Sequence, residues 1–197
     1  MSKKRLALIV NIIILVLELI SFGKNIFIDH NIAIEYYTND SNIIAIISSI
    51  LFIIFYKQKK EFVKDIRFVA TSCLTVTFLV VIFILTPMYD FNYKLLMFTD
   101  NFLIFHTIVP ILSIFSYIAL EDRSDKDYLC LIFTVIYAIA LVLLNVLNVV
   151  DGPYPFLKVN TQDLLVTLLW GIIIIGGSYV IGITLNFLNK KLKGANK

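Results

Sequence analysis

Apolar residues along the chain fall into six long, almost uncharged runs separated by short polar or charged stretches. They run from about Leu6 to Phe22, Tyr36 to Tyr56, Phe68 to Thr86, Asn101 to Leu120, Tyr128 to Val149 and Leu164 to Leu188. Each approaches the roughly 20 apolar residues that an α-helix needs to cross the hydrocarbon core. Ile, Val and Phe are abundant in them, but the runs are too long for strands and lack the alternation of a half-buried strand. Backbone polar groups in lipid must be satisfied within their own segment, which also selects helix. The pattern predicts an all-α polytopic membrane protein, a bundle of about six transmembrane helices forming one domain over 1–197. Pro87 is expected to end the third span. The connections are too short for a soluble domain, and no internal repeat is evident.

Composition agrees: 59% of the 197 residues are hydrophobic and 16% charged, against about 25% charged in soluble domains. Charge placement adds an orientation. Of the 17 Lys and Arg, all but Lys24, Lys94 and Lys158 fall on one side of the six runs: Lys3, Lys4 and Arg5, the cluster from Lys57 through Lys59 to Arg67, Arg123 and Lys126, and the tail from Lys190 to Lys197. The positive-inside rule places that side, with both termini, in the cytoplasm. The basic clusters read as topogenic anchors that can also meet anionic headgroups, and no nucleic-acid partner is expected. The first run follows Lys3-Lys4-Arg5 without a small-residue cleavage site, so it reads as a retained helix. Cys73 and Cys130 lie in apolar runs near the cytoplasmic side, and no disulfide is expected. Neither a metal site nor a cofactor is expected. The expected location is a cell membrane, and the Ile, Asn and Lys usage suggests a bacterial plasma membrane.

Polar groups at membrane depth are costly and point to function. Counting about 1.5 Å per residue puts Glu18, Thr38, Asn42, His106, Asn145 and Asn148 in one outer slab. The inner half offers only hydroxyls and a tyrosine, such as Ser48, Ser72, Thr75, Ser113, Thr134 and Tyr137. This asymmetry suggests a polar cavity toward the outer leaflet. Pro110 follows His106 by four residues and removes the N–H that would bond its carbonyl, so a bend is expected there. His106 reads either as a neutral buried histidine bonded to a neighbour or as a group with chemistry. Glu18 reads either as a partner for a neighbour's polar group or as a catalytic or ion-binding carboxyl. The outer loop Asp151-Gly152-Pro153-Tyr154-Pro155-Phe156 reads either as an aromatic anchor at headgroup level or as a lid over the cavity.

Three blocks, in order, resemble the androgen-induced-protein family and its bacterial relatives: Glu35-Tyr36-Tyr37-Thr38-Asn39 with Ser41-Asn42, Asn101 through His106-Thr107 to Val109-Pro110, and Tyr154-Pro155-Phe156-Leu157. Characterised animal members are multi-pass threonine hydrolases of fatty-acid esters of hydroxy fatty acids. The resemblance implies Thr38 as nucleophile and His106 as its base; Asn39, Asn42, Glu18 and Tyr154 are read beside them as candidates for binding or supporting roles. Asn39-Asp40-Ser41-Asn42 is more polar than the animal form and resembles the bacterial branch. A threonine hydroxyl needs a base within hydrogen-bond reach, and histidine suits that work. Asn42, one turn from Thr38, is a candidate oxyanion donor, and Glu18 a candidate for orienting His106.

The leading expectation is a membrane-embedded hydrolase or acyl transferase acting on a lipid ester that enters from the outer leaflet. A binding or transport protein for a small amphipathic solute, with Glu18 and His106 as a proton-linked pair, is the second reading. A non-catalytic membrane subunit is the third. Substrate identity and oligomeric state are not encoded legibly.

Overall fold

The computed structural model describes residues 2–28, 33–58 and 60–194. Among them are six helices long and apolar enough to cross a membrane: α1 (Lys3–Phe27), α2 (Tyr37–Ile54), α3 (Glu61–Met88), α5 (Asp100–Ala119), α6 (Leu129–Val146) and α7 (Leu164–Gly194). A short helix, α4 (Tyr93–Phe98), lies between α3 and α5. No strand occurs among the described residues. Lys59 and Lys197, part of the basic set, lie outside them.

Two of the helices begin within their charged flanks rather than at the first apolar residue. α1 starts at Lys3, where the Ser2 hydroxyl accepts the Arg5 N–H at 3.3 Å, and α3 starts at Glu61 instead of near Phe68. Lys, Arg and Glu are good helix formers, so the helix continues into the polar layer. Pro87 does not end α3. A π-helical turn over Val81–Leu85 precedes it, and the Thr86 hydroxyl donates to the Val81 carbonyl at 2.7 Å. The widened turn accommodates the missing N–H, and the helix runs on to Met88.

α3 is the central helix, packing against α2, α5, α6 and α7. Its apolar inward side carries Phe68, Cys73, Leu74 and Val76. α7 lies at the periphery, with Leu164, Leu165, Ile172 and Val180 exposed as lipid-facing residues would be. It meets α6 closely at Gly182, where an added Cβ would stand 2.4 Å from Cys130 Sγ. A small residue at that crossing lets the two helices approach. Both cysteines are free.

Lys3 and Lys193 line one pocket, so both chain ends lie at the same, basic end of the bundle. This end is far more polar inside than a row of hydroxyls. Arg67, wholly buried, makes a bidentate ion pair with Glu121, Nε to Oε2 and Nη2 to Oε1 both at 2.9 Å. Arg67 also donates to Ser48 at 3.1 Å and Ser113 at 3.4 Å. Glu121 accepts from Ser116 at 2.6 Å and Asn11 at 3.0 Å. Five spans are joined once Asn189 donates to the Tyr117 and Glu121 carbonyls, at 2.5 and 3.0 Å. Burial works to raise the Glu121 carboxyl, but the Arg67 guanidinium and the hydrogen bonds from Arg67, Ser116 and Asn11 hold it below its ordinary value. The expectation of an inner half holding only hydroxyls and a tyrosine is therefore corrected. Arg67 and Glu121 sit at the edges of apolar runs, where a charged residue reads as an anchor, yet helix packing turns both inward.

Candidate active site

At the end opposite the basic one, a cavity of about 410 Å³ lies between the N-terminus of α2, the first half of α5, α4 and the loop after α6. Its walls include Thr38, Asn39, His106 and Tyr154, four of the six site residues read from the sequence.

α5 explains the position of His106. Pro110 stands near the start of its second half, and the preceding turns, Leu103–Ile108, are π-helical. The proline thus widens the helix at the histidine, and such π segments recur at functional positions. His106 is buried and stacks on Phe102, ring centroids 4.9 Å apart and planes 6° from parallel. Its Nδ1 lies 2.5 Å from the Leu96 carbonyl oxygen of α4. A carbonyl only accepts, so Nδ1 carries the hydrogen and donates it; in the neutral ring Nε2 then presents a lone pair. The next residue makes a parallel tie, the Thr107 hydroxyl donating to the Met97 carbonyl at 2.8 Å.

Thr38 occupies the first turn of α2. Its carbonyl accepts from Asn42 at 2.7 Å and Ser41 at 2.9 Å, which pins that turn. The Tyr37 N–H donates to the Tyr137 hydroxyl at 3.1 Å, and that hydroxyl donates to the Glu35 carbonyl at 2.7 Å. Asn39 donates to the Ala33 carbonyl at 2.7 Å. Tyr154 sits against Thr38: burial pushes its phenol up to about 12, while the Thr38 hydroxyl and the Thr38 and Tyr37 backbones beside it act to lower it.

The loop carrying Tyr154 is folded into the protein, with its aromatic side chains packed on neighbouring elements. Tyr154 and Phe156 are 8% and 3% exposed and stack on each other at 5.2 Å. Phe156 packs on Trp170 at 5.0 Å, and Tyr154 meets Tyr36 edge-on at 5.8 Å. Pro153 and Tyr154 wall the cavity, the position that the lid reading expects. Gly152 makes the turn possible, since an added Cβ would come within 2.2 Å of the Leu157 carbonyl oxygen.

The remaining residues of the expected slab do not line this cavity. Asn42 is fully buried and its amide serves the Thr38 carbonyl, which leaves it poorly placed as an oxyanion donor. Glu18 is fully buried with neither carboxyl oxygen hydrogen-bonded, and His106 takes its partner from Leu96 instead. Both residues flank the contact of α1 with α2, one turn from Ile14 and Ala45, which share a core cluster. Asn145 braces the lid from outside, donating to the Val150 carbonyl at 3.0 Å and accepting from the Asn160 N–H at 3.3 Å. Asn148 accepts from Asn160 at 2.9 Å. Equal depth did not mean a shared face, because four helices present their polar residues in different directions.

Sequence reasoning missed Leu96, whose contribution is a backbone carbonyl, and it missed Asn25. Asn25 lines the cavity and accepts a short hydrogen bond from Asn101, itself in the second block quoted above.

A second, narrower cavity of about 60 Å³ adjoins the first. Thr38, Leu85 and Tyr154 belong to both walls, and the second is otherwise almost wholly apolar, closed by Phe156, Trp170 and Ile174. Thr38 thus borders both a cleft containing an imidazole and a small apolar slot. No group of three or more His, Cys, Asp or Glu side chains among the described residues could hold a metal ion. No family model, curated protein or solved structure matches the chain.

Proposed function

We propose that the protein is a membrane-embedded hydrolase or acyl transferase of lipid esters, with Thr38 as nucleophile and His106 as general base. The observation carrying this reading is that Thr38 and His106 wall one cavity while Thr38 also borders the apolar slot. The resemblance to the androgen-induced-protein family, bacterial branch, supports the same two residues.

The ester lies in the larger cavity with its carbonyl carbon facing Thr38. Thr38 Oγ1 forms a bond to that carbon as its proton passes to His106 Nε2. The carbonyl electron pair moves onto oxygen, for which the Thr38 backbone N–H and the Tyr154 hydroxyl, neighbours on this wall, are the proposed donors. Collapse expels the alkoxide, which takes the proton from His106 and leaves an acyl-threonine. Water, deprotonated by His106, attacks the acyl carbon, and the threonine oxygen departs with the returned proton. A second alcohol in place of water makes the reaction a transfer. The Leu96 carbonyl holds the imidazole tautomer, the work a carboxylate does in a triad. The substrate enters from lipid on the side of the outer leaflet, given the charge bias of the chain.

The test is labelling by a fluorophosphonate probe in membranes. Thr38→Ala and His106→Ala abolish labelling at unchanged expression, and Lys94→Gln retains it. Full labelling of both Thr38→Ala and His106→Ala refutes the assignment.

A further inference from the structure

The basic end holds a pocket of about 380 Å³ that the chemistry above does not use. Helices α1, α2, α3 and α5 and the end of α7 surround it. Its rim carries Lys3, Lys4 and Lys60. Among the described residues none of the three has a carboxylate partner, whereas Lys64 is paired with Glu61 at 2.6 Å and Lys193 with Asp122 at 3.0 Å. Lys4 lies over the Tyr56 ring, 5.1 Å from its centroid. The walls below are apolar: Phe52, Phe55, Val63 and Leu120. The floor is the Arg67–Glu121 pair, whose charges already answer each other.

From this arrangement we infer that the pocket is a binding site for a phospholipid with a net negative headgroup, its phosphate held by Lys3, Lys4 and Lys60. Among the described residues these three ammonium groups have no carboxylate in salt-bridge reach, and with Lys64 and Lys193 already paired they leave the rim net positive. Lys60 is the cap residue of α3, and the Glu61 carboxylate of that first turn is taken up by Lys64, which leaves the Lys60 ammonium on the rim. The site lies where the spans end, at headgroup level, and an acyl chain attached to the phosphate meets Phe52 and Phe55 on its way into the bilayer. A free phosphate ion satisfies the rim equally but leaves the aromatic walls unused. Those walls are why the occupant is a lipid. The site also lies at the basic end, the end that faces the more anionic leaflet in the orientation read from the chain.

The experiment titrates the delipidated full-length protein, in neutral detergent, with dioleoyl phosphatidylglycerol or dioleoyl phosphatidylcholine and counts bound lipid by native mass spectrometry. The expected result is preferential retention of phosphatidylglycerol. Each lysine near an anionic surface contributes about fivefold in affinity, so Lys3→Gln/Lys4→Gln/Lys60→Gln loses roughly a hundredfold. The control Lys94→Gln/Lys158→Gln, at the other end, retains wild-type binding. Phe52→Ser/Phe55→Ser weakens lipid binding, and millimolar inorganic phosphate fails to displace the lipid. If the triple variant does not purify as a monodisperse species, Lys60→Gln alone reads the same effect at about fivefold. Lysine variants that bind phosphatidylglycerol like wild type overturn the inference. Displacement by inorganic phosphate, with the Phe variants unaffected, identifies a free-anion site and overturns it equally.

Discussion

Replacing Glu121 by Gln tests whether the network at the basic end holds the bundle together. The change keeps the side chain's shape and removes its charge. Arg67 is then left wholly buried, with two charged hydrogen bonds at 2.9 Å converted to contacts with a neutral amide, one end of which is itself a donor. Ser48 and Ser113 still accept from Arg67, but neither hydroxyl carries charge. Removing one partner of a buried ion pair destabilises by about 3–5 kcal/mol. In a chain of this length each kcal/mol corresponds to about 2–4 °C, so the melting temperature should fall by about 10 °C. The assay is thermal unfolding of the purified protein in a neutral detergent, followed by helical circular dichroism. A second variant, Arg67→Met/Glu121→Met, removes both charges and should recover most of the loss, because a desolvated pair contributes little net stability over apolar packing. A Glu121→Gln protein melting within about 2 °C of wild type would show that the network contributes less than about 1 kcal/mol and refute the reasoning.

The same carboxyl gives a pH dependence: its folded-state value is depressed, so its stabilisation is complete above the ordinary glutamate range and is lost as pH falls through the lowered value. The melting temperature should therefore drop in strong acid, and Glu121→Gln should flatten that drop. Gly152→Ala forces the lid away from Leu157; emission from Trp170, the single tryptophan, should change because Phe156 no longer packs on it at 5.0 Å, and an unchanged spectrum would count against the packing. Tyr154→Phe should lower esterase turnover by about a hundredfold if its hydroxyl serves the oxyanion; since that phenol is pushed up to about 12, wild-type activity should show no loss from its ionisation up to about pH 10.

The six spans were legible because a bilayer imposes length and apolarity on a segment by itself, independent of its neighbours. The loop geometry was partly legible: Gly152 and the two prolines marked a stiff turn, but its inward fold depends on Trp170 and Tyr36, which only the tertiary packing supplies. Thr38 and His106 could be grouped by depth, and the structure brings them to one cavity. Glu18, Asn42, Asn145 and Asn148 had the same depth and point elsewhere, since depth is a one-dimensional coordinate and helix rotation is not encoded in it. Arg67 and Glu121 show the converse error. Charged residues at span ends are usually anchors, and only helix crossing angles reveal that these two face inward. α4 was missed because six residues bounded by Asn92 and Thr99 are too few for a periodic signal.

The acceptor that orients His106 belongs to the main chain of α4. Substituting Leu96 changes a side chain that packs on the core and lines the cavity, yet leaves that oxygen in place, so side-chain scanning does not report on the imidazole's partner. Lengthening or shortening the 89–99 connection by one residue would instead rotate another peptide unit into its place. Within any set of related chains, the constraint at this site should therefore show itself as a fixed spacing between α3 and α5, and only weakly as a preferred amino acid.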